Sequence, residues 1–331
     1  MLRELGFTVR EEQFDYSGFP GRCATPIAGA MIGGTVVVSS ALVLEGRLVA
    51  AVAVLLIGVV ATTLFASWMM RDGVLTAPWL RAESRNLVAT RGAGEQRVWL
   101  VAHLDSKSQP VPSAVRVAGV TLLAVALVLA VAGLLVTLAG SMSRTLEWVA
   151  IAAGVVGALP VMASVVGSRS DGAVDNASGV AAVLAAASSV PTGTAIGVLL
   201  PSGEELGLAG TRAWARQRPC GVALNCDGVD DGGTLVIMYN QPAPSRLVAA
   251  VQDVARAAQV ARVRTRRMPL GLLTDSTALA LAGWETVTVS HGSLATLRRV
   301  HSSSDTLDNL RGTSIGTVAD VLARAVEALA T

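Results

Sequence analysis

The sequence predicts an α/β protein, a layered domain with a mixed, largely parallel central sheet, interrupted by four transmembrane helices that form two hairpin insertions. Three observations carry this. Apolar residues make up 52% of the 331 and charged residues only 15%, too apolar a balance for an ordinary soluble domain. The excess is concentrated in four nearly charge-free runs, residues 26–44, 48–68, 117–139 and 148–166. Around these runs, the polar sequence alternates short apolar segments with helical periodicity, the pattern of strands and helices stacked in layers.

Each apolar run is long enough to cross a hydrocarbon core of about 30 Å, which takes roughly 20 helical residues. A helix buried in a soluble core would be shorter and would carry a polar stripe. Only Glu45, Gly46 and Arg47 separate the first two runs, and residues 140–147 separate the last two. Each pair therefore returns to the side of the membrane it left. The hairpins occupy residues 26–68 and 117–166, and residues 1–25, 69–116 and 167–331 form one discontinuous domain. Neither a repeat nor a low-complexity linker divides those pieces.

The first 25 residues carry Glu4, Arg10, Glu11, Glu12 and Asp15, which excludes a secretory signal peptide and leaves insertion to the first apolar run. The domain-side flanks hold Arg22, Arg71, Arg81, Lys107, Arg116 and Arg169, against one arginine in each turn, Arg47 and Arg144. That bias predicts a multi-pass membrane protein with the domain on the cytoplasmic face and the lipid bilayer as a partner. A net charge of +2 without a Lys/Arg block excludes nucleic acid. Cys23, Cys220 and Cys226 have no metal-ligand spacing; they read as small buried side chains, with a Cys220–Cys226 bridge left open.

In order along the domain, residues 7–14 alternate as a strand, 84–90 form a second, and 98–102 are a wholly apolar strand ending at His103. Residues 195–201 and 222–226 are buried strands, and 286–290 another; 179–187 and 206–216 are helices that start just after candidate site residues, and 247–258 is an amphipathic surface helix. In such sheets functional groups gather at strand C-termini and in the loops that follow.

Five loops supply them. His103-Leu104-Asp105 follows a strand, and Asp105 is placed to accept a hydrogen bond from the histidine ring, the support that metal-bound imidazoles need. Asp175-Asn176-Ala177-Ser178-Gly179 runs into a helix, where the bland alternative is a helix cap. Glu204 and Glu205 sit between a buried strand and a helix; adjacent carboxylates there need a cation or a solvated helix N-terminus. Asp227 reads singly as a turn residue and His301 as a surface histidine. Together they give His, Asp, Glu, Asp and His, the nitrogen and oxygen donors that suit zinc. His291 reads as a pocket-wall or core histidine.

In this order the motifs, including Gly203-Glu204-Glu205-x-Gly207-x-x-Gly210 and His301-x-x-x-Asp305-Thr306, resemble the co-catalytic di-zinc aminopeptidase family, which also contains glutamate carboxypeptidase and the glutaminyl cyclases. Residues 5–9 and 84–89 resemble its early strands, and Thr274-Asp275-Ser276 the loop lining its substrate pocket. The resemblance implies a three-layer zinc-exopeptidase-type domain and two zinc ions, one held by His103, Asp175 and Asp227 and the other by Asp175, Glu205 and His301. It further implies Glu204 as general base and Asp105 as the residue that orients His103. Val300 stands where several members have a tyrosine that helps hold the oxyanion, so that task falls to the metal or another donor.

The reading is therefore a membrane-bound zinc metallopeptidase, most simply an aminopeptidase. The second hairpin is inserted between two of the metal motifs, which points to membrane-proximal peptides as substrates. Asp105-Ser106-Lys107 suggests a glutaminyl-cyclase-like aminoacyltransferase as an alternative. A catalytically silent binding module would have lost ligands or the base, and a transporter would carry ionisable residues within its spans.

Overall fold

In the computed structural model, which describes residues 1–269 and 271–330, the chain divides into two units. One comprises Ser17–Leu80 and Gln109–Gly167, the other Met1–Tyr16, Arg81–Ser108 and Ser168–Thr331.

The first unit is helical: α1 (Phe19–Leu44), α2 (Leu48–Trp68), the short α3 (Val74–Thr76), α4 (Ser113–Leu138) and α5 (Arg144–Met162). Helix α1 begins well before the apolar run because Pro20 occupies its first turn, where a missing N–H leaves nothing unsatisfied. Together these elements make four helices long and apolar enough to cross a membrane, α2 running on through α3 as Leu48–Thr76. Their seams are built on small residues. A Cβ on Gly33 would lie 2.7 Å from Ala158, and one on Gly157 would lie 2.9 Å from the Leu123 main-chain nitrogen. Such close backbone approach is how helices associate in lipid, where no hydrophobic force drives them together. Leu56, Ile57, Leu64, Val128 and Leu159 face outward and exposed, a surface suited to hydrocarbon rather than water. Glu147, expected in the turn between the last two apolar runs, instead lies in the first turn of α5 and is fully buried beside Gly133.

The second unit is built on an eight-stranded sheet: β1 (Thr8–Ser17), β2 (Arg81–Arg91), β3 (Val98–Val101), β4 (Ile196–Leu200), β5 (Val222–Val229), β6 (Thr234–Tyr239), β7 (Val263–Arg267) and β8 (Glu285–Gly292). Their order is β1-β2-β4-β3-β5-β8-β6-β7. The centre is parallel, β4 with β3, β3 with β5 and β5 with β8, as is β6 with β7, whereas β2/β4 and β6/β8 are antiparallel. The mixed, mostly parallel α/β architecture expected from the sequence is the one found.

Helices α6 (Gly179–Ser189), α7 (Ala209–Ala215), α8 (Ser245–Ala257), α9 (Asp275–Leu281), α10 (Leu294–Arg299) and α11 (Ile315–Ala330) accompany it. Strand β3 shows why both faces are covered. Leu100 packs with Val183 and Leu322 of α6 and α11, while Trp99 and Val101 pack on the other face with Trp214 of α7 and Leu279 of α9. A strand buried on both sides needs an unbroken apolar run, and residues 98–101 supply it. Helix α7 is shorter than the stretch 206–216, because Gly207 (φ +114°) and Leu208 (φ +62°) lie in the left-handed region and keep the preceding residues out of the helix. Cys220 and Cys226 are free, with Cys226 buried in β5 and Cys220 exposed, so no bridge joins them.

Candidate metal centre

The parallel ladder continues beyond β3 through Ala102 N–H to Leu199 O (3.2 Å) and Leu104 N–H to Pro201 O (2.8 Å), which holds the intervening His103 at the strand's C-terminal end. Its Nδ1 lies 2.9 Å from the main-chain oxygen of Asp105, so the tautomer that satisfies this contact carries its proton on Nδ1 and leaves Nε2 free. The carboxylate of Asp105 does not take the role expected of it. It stands 3.8 Å from Nδ1 and accepts instead the main-chain N–H groups of Glu204 (3.1 Å) and Glu205 (3.0 Å). One residue thus orients the imidazole through its carbonyl and the neighbouring acidic loop through its side chain.

Asp175 is held from both flanks. The Asp305 carboxylate accepts the N–H groups of Val174 (2.7 Å) and Asp175 (3.2 Å). Asn176 donates to Cys226 O at 2.9 Å and accepts from Gly228 N–H at 3.1 Å, and Ser178 Oγ accepts from Val229 N–H at 2.8 Å. Asn176 and Ser178 therefore tie this loop to the strand that carries Asp227. Gly179 permits the approach, since a Cβ there would meet Asn176 Oδ1 at 2.0 Å.

Glu204 and Glu205 follow β4 in a loop whose far side is pinned by Asn86, which accepts from Ser202 N–H (3.2 Å) and donates to Gly210 O (2.8 Å). Lys107, two residues past Asp105, places Nζ 2.5 Å from Glu205 Oε2. The Asp105-Ser106-Lys107 motif marks this lysine in sequence, but its contact with Glu205 is evident only in the fold. His301, with φ +64°, points Nε2 between Asp175 Oδ2 (2.9 Å) and Glu205 Oε1 (3.3 Å).

The five candidate ligands converge in two overlapping groups, His103 with Asp175 and Asp227, and Asp175 with Glu205 and His301, the donor atoms of each within 4.8 Å of one another. Asp175 belongs to both: Oδ1 faces His103 Nε2 at 3.1 Å and Oδ2 faces His301. Asp227 Oδ1 is 3.8 Å from His103 Nε2. Glu204, outside both groups, is buried and lines the same cavity. His291 lines it too, as a pocket-wall histidine whose Nδ1 is 2.7 Å from Asp230 O.

Burial disfavours charge on Asp175, but the hydrogen bonds from His103 and His301 outweigh it and hold the carboxyl well below the ordinary range. Glu204 goes the other way: burial, then the nearby Glu205, Asp275 and Asp227, pushes it well above that range, against the pull of His103. Buried acids this close need a cation between them. Apart from the 3.3 Å approach of His301 Nε2 to Glu205 Oε1, neither that oxygen nor His301 Nδ1, both buried, has a hydrogen-bond partner, and the imidazole and carboxylate donor set is that of zinc. The residues present fit such an ion.

Residues 86–326 match the family model described as Peptidase family M28. The chain belongs to peptidase family M28. No curated protein matches it in sequence. Among solved structures this M28 chain is similar to an aminopeptidase from Aneurinibacillus sp. strain AM-1, with 17% identity over 76% of this chain and 49% of that one and a TM-score of 0.50. It is similar to BSAP, a zinc aminopeptidase from Bacillus subtilis, with 16% identity over 76% and 52% of the two chains and a TM-score of 0.51. The glutaminyl cyclase of Porphyromonas gingivalis gives 14% identity, 99% and 86% coverage and a TM-score of 0.55. The chain therefore spans about half the length of those aminopeptidase chains, and at these identities the likeness is one of fold.

Proposed function

We propose that this M28 chain is a membrane-bound, zinc-dependent aminopeptidase with a two-zinc centre. The observation that carries the reading is Asp175, whose two oxygens face His103 and His301 separately and so join two three-residue groups. His103, Asp175 and Asp227 would hold one ion, and Asp175, Glu205 and His301 the other. Bound there, zinc supplies Lewis acidity to the scissile carbonyl and lowers the pKa of water.

The remaining work falls to the chain. Glu204 takes the proton of the attacking water at a carboxylate oxygen and returns it to the leaving amine, general acid–base catalysis worth about 10²- to 10⁴-fold. Asp105 holds the Glu204 and Glu205 main chain in place, and Asp305 does the same for Asp175. Zinc quantification on purified protein, with an aminoacyl-peptide screen of wild type and Glu204→Gln, tests this. The expected result is two zincs in both proteins and activity reduced by about 10²- to 10⁴-fold in the variant. Two zincs with activity intact in the variant would refute the role of Glu204.

A second reading has one specific observation in its favour. Lys107 places an ammonium against Glu205, in the group that would hold the second ion, as suits a single-zinc, glutaminyl-cyclase-like aminoacyltransferase. One zinc per chain and turnover of a glutaminyl peptide without hydrolysis would select it.

The four apolar helices support a multi-pass membrane protein, and the arginine bias supports a cytoplasmic hydrolase unit acting on membrane-proximal peptides. Cys220 is exposed in that unit. In intact cells a membrane-impermeant thiol reagent should leave it unlabelled until lysis; labelling before lysis would reverse the orientation.

A further inference from the structure

Strand β7 closes one end of the sheet order beside β6, with Val236 opposite Arg264 and Met238 opposite Arg266. Side chains two apart on a strand share a face. One face of β7 turns to the core side, where Val263 packs against the apolar cluster and Thr265 Oγ1 accepts a 2.6 Å bond from Gln252. The other carries Arg264 and Arg266, in line with Arg262 just ahead of the strand, all three exposed and all lining the cavity of about 870 Å³ that also holds the candidate metal centre. No hydrogen bond or ion pair among the described residues involves any of these guanidinium groups.

The cavity's other charges make this row informative. Its carboxylates are Asp175, Glu204, Glu205 and Asp227, all within the candidate metal and base cluster. Outside that cluster the cavity has no acid among the described residues, and Lys107 and the three arginines supply its remaining fixed charge. Three arginines two residues apart, about 7 Å along the strand backbone, repeat at the spacing of alternate side chains on an extended peptide. Val236 and Met238 of β6 and Leu272 and Leu273 give the same cavity an apolar wall for chain contact.

We infer that the cavity selects acidic peptides, with the Arg262–Arg264–Arg266 row receiving substrate carboxylates in an extended chain while the metal centre receives the scissile bond. Arginine suits this task because its planar fork donates two parallel N–H bonds to one carboxylate. The inference rests on the peptidase reading for its substrate class, and on the edge strand alone for the preference.

The test measures binding, so that it is separable from hydrolysis. Full-length Glu204→Gln protein in detergent with zinc is titrated with Leu-Glu-Glu-Glu and with Leu-Gln-Gln-Gln. The acidic peptide is expected to bind at least about tenfold more tightly, as charge-assisted bonds to converging arginines require. Adding Arg262→Gln, Arg264→Gln and Arg266→Gln together should collapse that gap. Arg264→Gln alone should narrow it and Arg264→Lys restore part of it, which keeps the test open if the triple change unfolds the strand. Equal affinities, no binding of the acidic peptide, or a gap that survives loss of the arginines would overturn the inference. Hydrolysis by wild type is scored separately: acidic binding without any hydrolysis supports the arginine row and refutes the peptidase, and hydrolysis with no acidic preference does the reverse.

Discussion

Asp305 shows how much one side chain can do without touching a substrate. Its carboxylate takes the N–H groups of Val174 and Asp175, so the direction of the Asp175 carboxylate depends on a residue far along the chain. Asp305→Ala would leave two buried donors unsatisfied, a loss of about 2 kcal/mol or more, and is expected to lower zinc affinity by about 10- to 100-fold. Competition with a chromophoric chelator measures it; unchanged affinity would mean that the loop is held by other contacts. His103, Asp175 and Glu205 were legible because each follows a strand or leads into a helix with a donor type that zinc prefers, whereas Asp227 and His301, singly a turn residue and a surface histidine, became legible only through the order of all five. The supporting groups were not. A carboxylate that accepts main-chain N–H groups looks in sequence like any loop aspartate, which is why Asp105 was read as a partner for the imidazole rather than for the Glu204–Glu205 main chain. Lys107 stands out in the Asp105-Ser106-Lys107 motif, but only the fold brings it to Glu205.

At the level of elements, length and hydropathy located the four long helices, yet their ends shifted. Helix α1 extends back through Pro20, and α5 takes Glu147 into its first turn. The seams between them could not be read from hydropathy, which weighs a helix's composition and not the rows along it. Gly157 makes them testable. A Cβ there would lie 2.9 Å from Leu123 N and 3.0 Å from Gly119 O, main-chain atoms that cannot turn aside. Gly157→Val is expected to separate α4 from α5 at a cost of about 1–3 kcal/mol, visible as a lower unfolding temperature in detergent. An unchanged temperature would show that this seam is not tightly packed. Strands β6 and β7 and helix α11 had no expectation from sequence. In β7 the alternation is of arginine with valine and threonine, a weak strand signal that becomes clear only beside β6.

For the whole molecule, chain order and compactness disagree, and the sheet-bearing unit resolves this by keeping its interrupted ends together. Gln13 bonds to Glu83 and Arg85 to Glu11 across β1 and β2, which brings the end of one strand near the start of the next. At the second break Ser108 Oγ accepts the N–H of Arg169 at 2.8 Å. Insertions whose ends meet are the kind a domain tolerates. A chain lacking residues 18–80 and 109–167, each replaced by a short glycine-serine link, is expected to be soluble and to bind zinc. Aggregation, or a folded product without zinc, would show that the sheet depends on the excised helices.

That meeting of ends has a mechanical consequence. If α4 and α5 span a bilayer, as proposed, any pull on them would enter the sheet-bearing unit at two points tied together by Ser108 with Arg169 (2.8 Å) and Ser106 with Ser170 (3.1 Å). Such a pull would meet these ties before it met His103 and Asp175, which lie on either side of the junction in sequence.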